Sequence, residues 1–596
     1  MSTKGLRKSI MYGWTGKILH IDLTTKRTEC ECPGEEVYHQ WLGGKGLAGF
    51  FMRDNCTRRW NDPLMPLIVC TGPLVDTQSP TSGRCSIMSR SPLTGTVGDT
   101  SVGGAFGTEL KRAGWDGVII TGRSESLCGI DIDDSRVTFV DAAETRGMTV
   151  SAMTARLVTR GEKGSCAVVG PAADNGVYYA NIMVDGRHTA GRNGLGLVMY
   201  SKGCRYIRVR GSGKTTVADK DALRSAVNDV NRLIDASPAL TGRFGIAQWG
   251  TAALYDLMDA RRMMPTANFR KTYFPPARQN NAFAFHRVYH PVSYGCRGCH
   301  IRCKKNAEDG TPLPEFESLS HFSALLENSD IRTTYNANRF CNEMGMDTIS
   351  AAATIACYCE IEKQSPSASD ILMFLRQAVQ GQGDGRLLAQ GSARMSRERG
   401  LPETSMTVKD QELPAYDPRG AYGMALGYVT STRGGCHLRA YPIAHEILRK
   451  PVATDRFSFE GKARINKITE DINAVVDSLT ACKFVFFAAT LEEYAHVLSA
   501  VSGIKVTAQD LMRCGERIDY NERMMNAVNG FSCDHDDLPN RFFTESGSGS
   551  STYEVPPLDR DAFLAARSSY YIIRGLDHRG LPTRAKTNTI GLEWKD

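Results

Sequence analysis

Three cysteines carry the clearest chemistry that can be read along this chain. Cys296, Cys299 and Cys303 stand in YGCRGCHIRC as C-x2-C-x3-C. Thiolates this close on one turn suit a soft metal site, because sulfur ligands select zinc or iron–sulfur over harder ions. A [4Fe–4S] cluster takes four cysteines, and a fourth from elsewhere in the chain is common. Zinc needs a nearby fourth ligand, which His300 inside the turn offers. Spacing alone leaves both readings open.

Other candidates are weaker one by one. The glycine-rich stretches LGGKGLAG (42–49), SVGGAFG (101–107) and DGRHTAGRNGLG (185–196) allow close backbone approach, and exposed N–H groups there bind phosphate. Arg84, Arg187 and Arg192 lie beside such stretches and favour an anionic ligand, whereas tight turns are the plainer reading of each stretch alone. EFES places Glu315 and Glu317 near the cysteines in sequence, and GGCH puts His437 behind a glycine pair. By themselves a glutamate of this kind is a solvated group and such a histidine a structural one. GSGKTT (211–216) mimics a phosphate-binding loop, but Arg208 stands where the full pattern needs glycine, so it reads as a surface linker.

These side chains need elements to hold them. Up to about residue 212 the runs KILHIDL, PLIVCTG, GVIITG, CGIDID, SCAVVG and YIRVRG are bounded by turn formers, as strands are, and FGTELKRAG predicts a short helix. Beyond that, apolar spacing of three and four predicts helices through about residue 530. SGSGSST (546–552) reads as a flexible loop. The fold class expected is α+β. At 596 residues the chain exceeds one core, and 41% hydrophobic with 23% charged residues is ordinary for a globular protein. A net charge of +7 without a basic stripe gives no sign of nucleic acid. No stretch of 18 apolar residues predicts a membrane span, and the N-terminus lacks the apolar core of a secretory signal. A cytoplasmic setting with reduced thiols is therefore expected. Eighteen cysteines there are not mostly disulfides, and Cys70 and Cys166 read as small hydrophobes.

Taken in order, MYGWTGKILHIDLTT, SGRCSIMSRSPLTG, GGAFGTELKRAGWD, DGRHTAGRNGLG, CRGCHIRC, PEFES, CNEMGMDTIS, ELPAYDPRGAYGMALGY, TRGGCH and VDSLTACKF span nearly the whole chain. In this the sequence resembles the aldehyde ferredoxin oxidoreductases, which carry tungsten on two pterins. The resemblance implies a β-rich pterin-binding saddle of two sheets over 1–212. It also implies two mainly α-helical domains, 213–415 and 416–596. Cys482, in DSLTAC, becomes the fourth cluster ligand beside Cys296, Cys299 and Cys303. Arg84, Ser101, Gly103, Gly104, His188, Thr189, Asn342, Asp347, Asp477 and Lys483 become contacts of the paired pterins, whose phosphates Mg2+ bridges. The pterin motifs D-x-x-G-L-x correspond to Asn342–Asp347 and Asp477–Cys482. Asn342 replaces the leading Asp of the first, and LTAC stands where the second has Gly-Leu-Cys. Asn336 falls where relatives carry a glutamate for a metal between subunits, so a homodimer is expected to lack that bridge.

The resemblance further implies a tungsten (or molybdenum) oxidoreductase that turns an aldehyde and water into a carboxylic acid. Glu317 would serve as general base on water, and His437 and Tyr416 as donors to the carbonyl oxygen. Electrons would leave through the [4Fe–4S] cluster to ferredoxin or an iron–sulfur electron-transfer subunit. Arg297, Arg302, Lys304 and Lys305 around the cluster suit an acidic carrier. Two alternatives keep the fold: another two-electron reaction such as aromatic acyl-CoA reduction, and a non-catalytic electron-transfer subunit.

Overall fold

The protein is described from a computed structural model over residues 11–158 and 163–594. The short apolar runs form strands where turn residues isolate them: Ile18–Asp22, Leu67–Cys70, Gly117–Thr121, Cys128–Asp133, Ser165–Val169 and Cys204–Arg210. They belong to two six-stranded sheets. The first runs Arg27–Glu31, Ile18–Asp22, Gly117–Thr121, Leu67–Cys70, Cys85–Arg90, Val97–Val102 across its width. The second runs His188–Ala190, Ile182–Val184, Ser165–Val169, Cys204–Arg210, Cys128–Asp133, Arg136–Asp141. Each contains one parallel pair, Ile18–Asp22 with Gly117–Thr121 and Cys128–Asp133 with Cys204–Arg210. Central strands such as LIVC and SCAVV are buried along their whole length, which is why they read as continuous apolar runs and not as alternation. The charged strand Arg27–Glu31 closes one edge in solvent, where it discourages further pairing.

Two glycine-rich segments differ from expectation. LGGKGLAG does not form a ligand turn, because most of it lies in the helix Gly44–Met52. Its glycines serve packing: a Cβ on Gly44 would stand 2.3 Å from the carbonyl oxygen of Asp477, so only a bare backbone lets this helix meet the chain end of Lys462–Leu479. SGSGSST is pinned rather than free. Ser548 N–H donates to Thr272 Oγ1 at 2.8 Å, and Gly547 N–H donates to Val555 O at 2.8 Å.

Helices dominate the rest, beginning at Lys220–Ala236, whose Asp219 side chain accepts from the N–H groups of Asp221 and Ala222. The helix Thr348–Ile361 is apolar all round and buried over most of its length, as a core helix should be. The helix Lys462–Leu479 packs against Ala508–Ala527 and Arg560–Arg574. Its Glu470 and Asp471 are paired with buried Arg574 of the last of these. The architecture is α+β, as expected from the sequence. No disulfide joins any of the eighteen cysteines. Among the described residues no helix is long and apolar enough to cross a membrane.

Candidate functional site

The cysteine turn hangs from a short antiparallel hairpin, Val292–Tyr294 with Lys304–Asn306, in which Tyr294 faces Lys304. Within it Cys299 N–H donates to Cys296 O at 3.1 Å, tightening the turn so that the thiols cannot splay. Cys482 reaches the same place from the end of Lys462–Leu479. Thr480 takes a left-handed φ of 57° there and turns the chain sharply. The two sequence motifs prove to be the same device. NEMGMD ends the helix Ile331–Met344 on Gly345 at φ 73°, and DSLTAC ends its own helix on Thr480, the residue in the glycine's position. The departure in the second motif therefore costs a left-handed conformation at a β-branched residue and does not change the course of the chain.

All four cysteines line one cavity of about 1230 Å3. Arg84 projects into it, with Nε donating to Ser101 Oγ at 2.9 Å and the adjacent nitrogen to Ser101 O at 2.6 Å. Burial pushes its pKa down, but the charges of Cys482, Cys296, Asp477 and Cys303 outweigh burial and hold it up. A fixed cation thus serves the thiolates. Gly103 is required by contact, since a Cβ there would lie 2.5 Å from Cys296 Sγ. His300 does not join the thiols: it is exposed, with Nε2 3.8 Å from Asp235. Among the described residues no three His, Cys, Asp or Glu side chains converge tightly enough to clasp one metal ion.

Lys304 and Lys305 depart from their expected place on the outer surface. Lys304 is paired with Glu315, and Lys305 is buried, with Nζ donating to Ala247 O at 2.8 Å. A lysine beside a buried turn finds acceptors there that cost less than leaving carbonyls unsatisfied.

Of the expected pterin contacts, Arg84, Ser101, Thr189, Asn342, Asp347, Asp477 and Lys483 line the cavity. Gly103, Gly104 and His188 lie just behind its wall. His188 packs on that glycine turn, where Gly104 has φ +102°, and burial lowers its pKa to about 3, so it is neutral. Asp347 caps the helix Thr348–Ile361 through Ser350 N–H at 3.1 Å and lies 3.4 Å from Arg192 Nε. Asp477 is paired with Lys483.

Glu317, Tyr416 and His437 come together on the opposite wall. Glu317 sits in the first turn of Phe316–Phe322 and accepts from Ala415 N–H at 2.8 Å through Oε2. Its Oε1 has no hydrogen-bond partner and lies 3.5 Å from His437 Nε2, while His437 Nδ1 is also unpartnered. Both residues line the cavity, where a ligand can supply the missing partners. Burial, partly offset by the Ala415 N–H, raises Glu317 to about 8. Burial, reinforced by Arg192 and Arg433, lowers His437 well below its ordinary value. Both are neutral at pH 7. Tyr416 Oη lies 3.1 Å from Tyr441 Oη, and its ring 5.6 Å from that of His437.

Sequence reasoning missed three neighbours. Tyr441 stands in YPIAHE without any motif. His321, one turn after Glu317, is held neutral by burial, its pKa lowered to about 4, with Nδ1 2.8 Å from Glu317 O. Cys436 sits inside GGCH. Burial raises its pKa, but Arg433 and Arg439 outweigh burial, and its sulfur accepts from Arg433 at 2.9 and 3.1 Å. Position beside His437 was the one signal available.

A family model described as the aldehyde ferredoxin oxidoreductase N-terminal domain matches residues 18–211, and a second, for domains 2 and 3 of the same family, matches 225–592. A tungsten-containing aldehyde ferredoxin oxidoreductase of Pyrococcus furiosus is 35% identical over 98% of this chain and 99% of its own. A protein of the same organism named aliphatic sulfonate oxidoreductase, WOR-like subunit, is 24% identical over 98% of this chain and 97% of its own. Among solved structures, the active-site complex BamBC of benzoyl coenzyme A reductase has the same fold. Its TM-score is 0.84 at 19% identity, covering 98% of both chains.

Proposed function

The chain belongs to the aldehyde ferredoxin oxidoreductase family, and from that premise we propose that it oxidises an aldehyde with water to a carboxylic acid on a tungsten (or molybdenum) bis-pterin. The observation that carries this reading is the neutral Glu317 carboxyl, whose Oε1 is unpartnered 3.5 Å from His437 Nε2, in the cavity that also receives the four cysteines. The donor set fits the groups. Four thiols around the Arg84 cation suit a [4Fe–4S] cluster, and Arg84, Arg192, Lys483 and Thr189 suit the pterin phosphates. When bound, the metal–pterin supplies the two-electron acceptor and the cluster the one-electron exit.

The chain's own residues have the following parts. Glu317, once deprotonated, takes a proton from water at Oε1 as the water oxygen adds to the carbonyl carbon. His437 Nε2–H and Tyr416 Oη–H donate to the carbonyl oxygen as charge builds on it, and Tyr441 fixes the Tyr416 hydroxyl. His321 anchors the helix turn that carries Glu317. The product is a carboxylic acid, with two electrons and two protons released per aldehyde. An external iron–sulfur carrier takes the electrons.

Protein purified from cells supplied with tungstate or molybdate tests this directly. It should contain tungsten or molybdenum, pterin, iron and sulfide, and should reduce a viologen dye when given an aldehyde. Iron and sulfide without tungsten, molybdenum or pterin would sink the reading.

A further inference from the structure

Behind the cysteine turn, outside the cavity, aromatic side chains break the surface. Phe244 is 64% exposed and Phe283 41%. Their ring centroids are 6.4 Å apart, and Trp249 lies tilted against both Phe283, at 4.4 Å, and His286, at 4.5 Å. The Trp249 indole N–H donates to Arg243 O at 2.8 Å, so the platform is held rigidly. This platform rests on the turn that bears the cysteines: Lys305 Nζ donates to Ala247 O, and a Cβ on Gly250 would meet Cys303 O at 3.0 Å. Trp249, His286 and Cys303 border one narrow cleft.

The segment that carries Phe283 and the cysteines is basic. Residues 281–305 contain Arg287, Arg297, Arg302, Lys304 and Lys305 and neither Asp nor Glu. The two lysines turn inward, whereas Arg287 and Arg302 are exposed beside the patch, as is Arg243. Of the nearby acids, Glu315 is paired with Lys304 and Asp256 accepts from the Asn281 amide at 3.0 and 3.1 Å, while Asp235 lies 3.8 Å from His300.

We propose that this face is the docking surface for the external electron carrier, a small acidic iron–sulfur protein. The proposal rests on the reading of the four cysteines as cluster ligands. An aromatic centre rimmed by arginines is the composition in which a few side chains carry most binding energy. The rim steers an oppositely charged partner and sets salt dependence. A second copy of this chain fits poorly, because a two-fold interface would set the basic face against itself. The carrier takes one electron per encounter, so two encounters clear each aldehyde oxidised, and no covalent bond forms or breaks.

The test uses the full-length holoenzyme and two double variants at exposed positions, Phe244→Ser with Phe283→Ser and Arg243→Glu with Arg287→Glu. Affinity for an acidic [4Fe–4S] ferredoxin is measured by calorimetry at low and high salt, and aldehyde-dependent viologen reduction is measured alongside. Each variant should bind roughly tenfold more weakly, the charge-reversed one with a flatter salt dependence, while viologen reduction is unchanged. Binding by both variants within about twofold of wild type would overturn the proposal, taking tenfold as the effect of a lost anchor. A wild-type dimer in sedimentation that the Phe double variant splits would also overturn it. Failure of wild-type viologen reduction would count against the proposed function, while the binding comparison still decides the surface.

Discussion

Glu317 and Asp99 border the same cavity, and burial leaves them in opposite states. Glu317, with 18% of its side chain open to the cavity, has one backbone N–H for its carboxyl and is raised to about 8. Asp99, 2% exposed, is pushed up by burial too, but Arg439, Lys45 and Arg433 outweigh it and hold it well below the carboxylate range. Lys45 in turn reaches Glu522 at 2.9 Å, so the floor is a closed set of charges. One wall is therefore kept neutral and unsatisfied, ready to exchange a proton, and the floor is kept ionised and fixed. Burial alone does not set a carboxyl's role; the partners buried with it do.

Four measurements break or sharpen that contrast. Glu317→Gln keeps shape and removes the proton acceptor, so kcat should fall about 10²- to 10⁴-fold in viologen assays. A loss under threefold would leave the wall without a catalytic part. Asp99→Asn leaves buried Arg439 and Lys45 to share Glu522 as their one remaining anion and should lower stability in denaturant by about 3–5 kcal/mol. A change below about 1 kcal/mol, the worth of an exposed pair, would mean the floor is not a closed network.

The pH profile is the third. The carboxyl must be ionised to accept a proton, and its pKa is raised, so kcat/KM should rise with pH and level off near 8. Below that it should fall about tenfold per pH unit, and Glu317→Gln should flatten the limb. A flat wild-type profile between about pH 6 and 8 would assign the base elsewhere. The smallest effect concerns the turn before Cys482. Thr480→Gly relieves a left-handed β-branched residue but gives up methyl packing against Gly44. A net gain of about 1 kcal/mol in thermal or denaturant unfolding is expected; a loss would show that the methyl contact outweighs the strain.

Much of the frame was legible because its signals are local. Turn formers isolate KILHIDL, PLIVC and SCAVVG as strands, and FGTELKRAG forms the helix Phe106–Arg112. Where reading failed, the deciding partner lay far off in the chain. LGGKGLAG looked like a ligand loop because its glycines serve contact with Asp477 and Ser478, which no local pattern announces. SGSGSST looked free because Thr272 and Val555 pin it. Lys304 and Lys305 looked like surface cations because their acceptors, Glu315 and Ala247 O, are brought near by the hairpin and by the 246–250 segment.

By itself the sequence determined three thiols on one turn, a β-rich part followed by helices, and an ordered set of motifs that points to one family. Those depend on residue types and short spacings, which survive in one dimension. Only the tertiary structure decided that Cys482 faces the three others past Arg84, that Thr480 does the work of a glycine, and that Glu317 stands neutral before His437. Each depends on distances across separate elements and on the dielectric those elements create, and the packed chain alone fixes both.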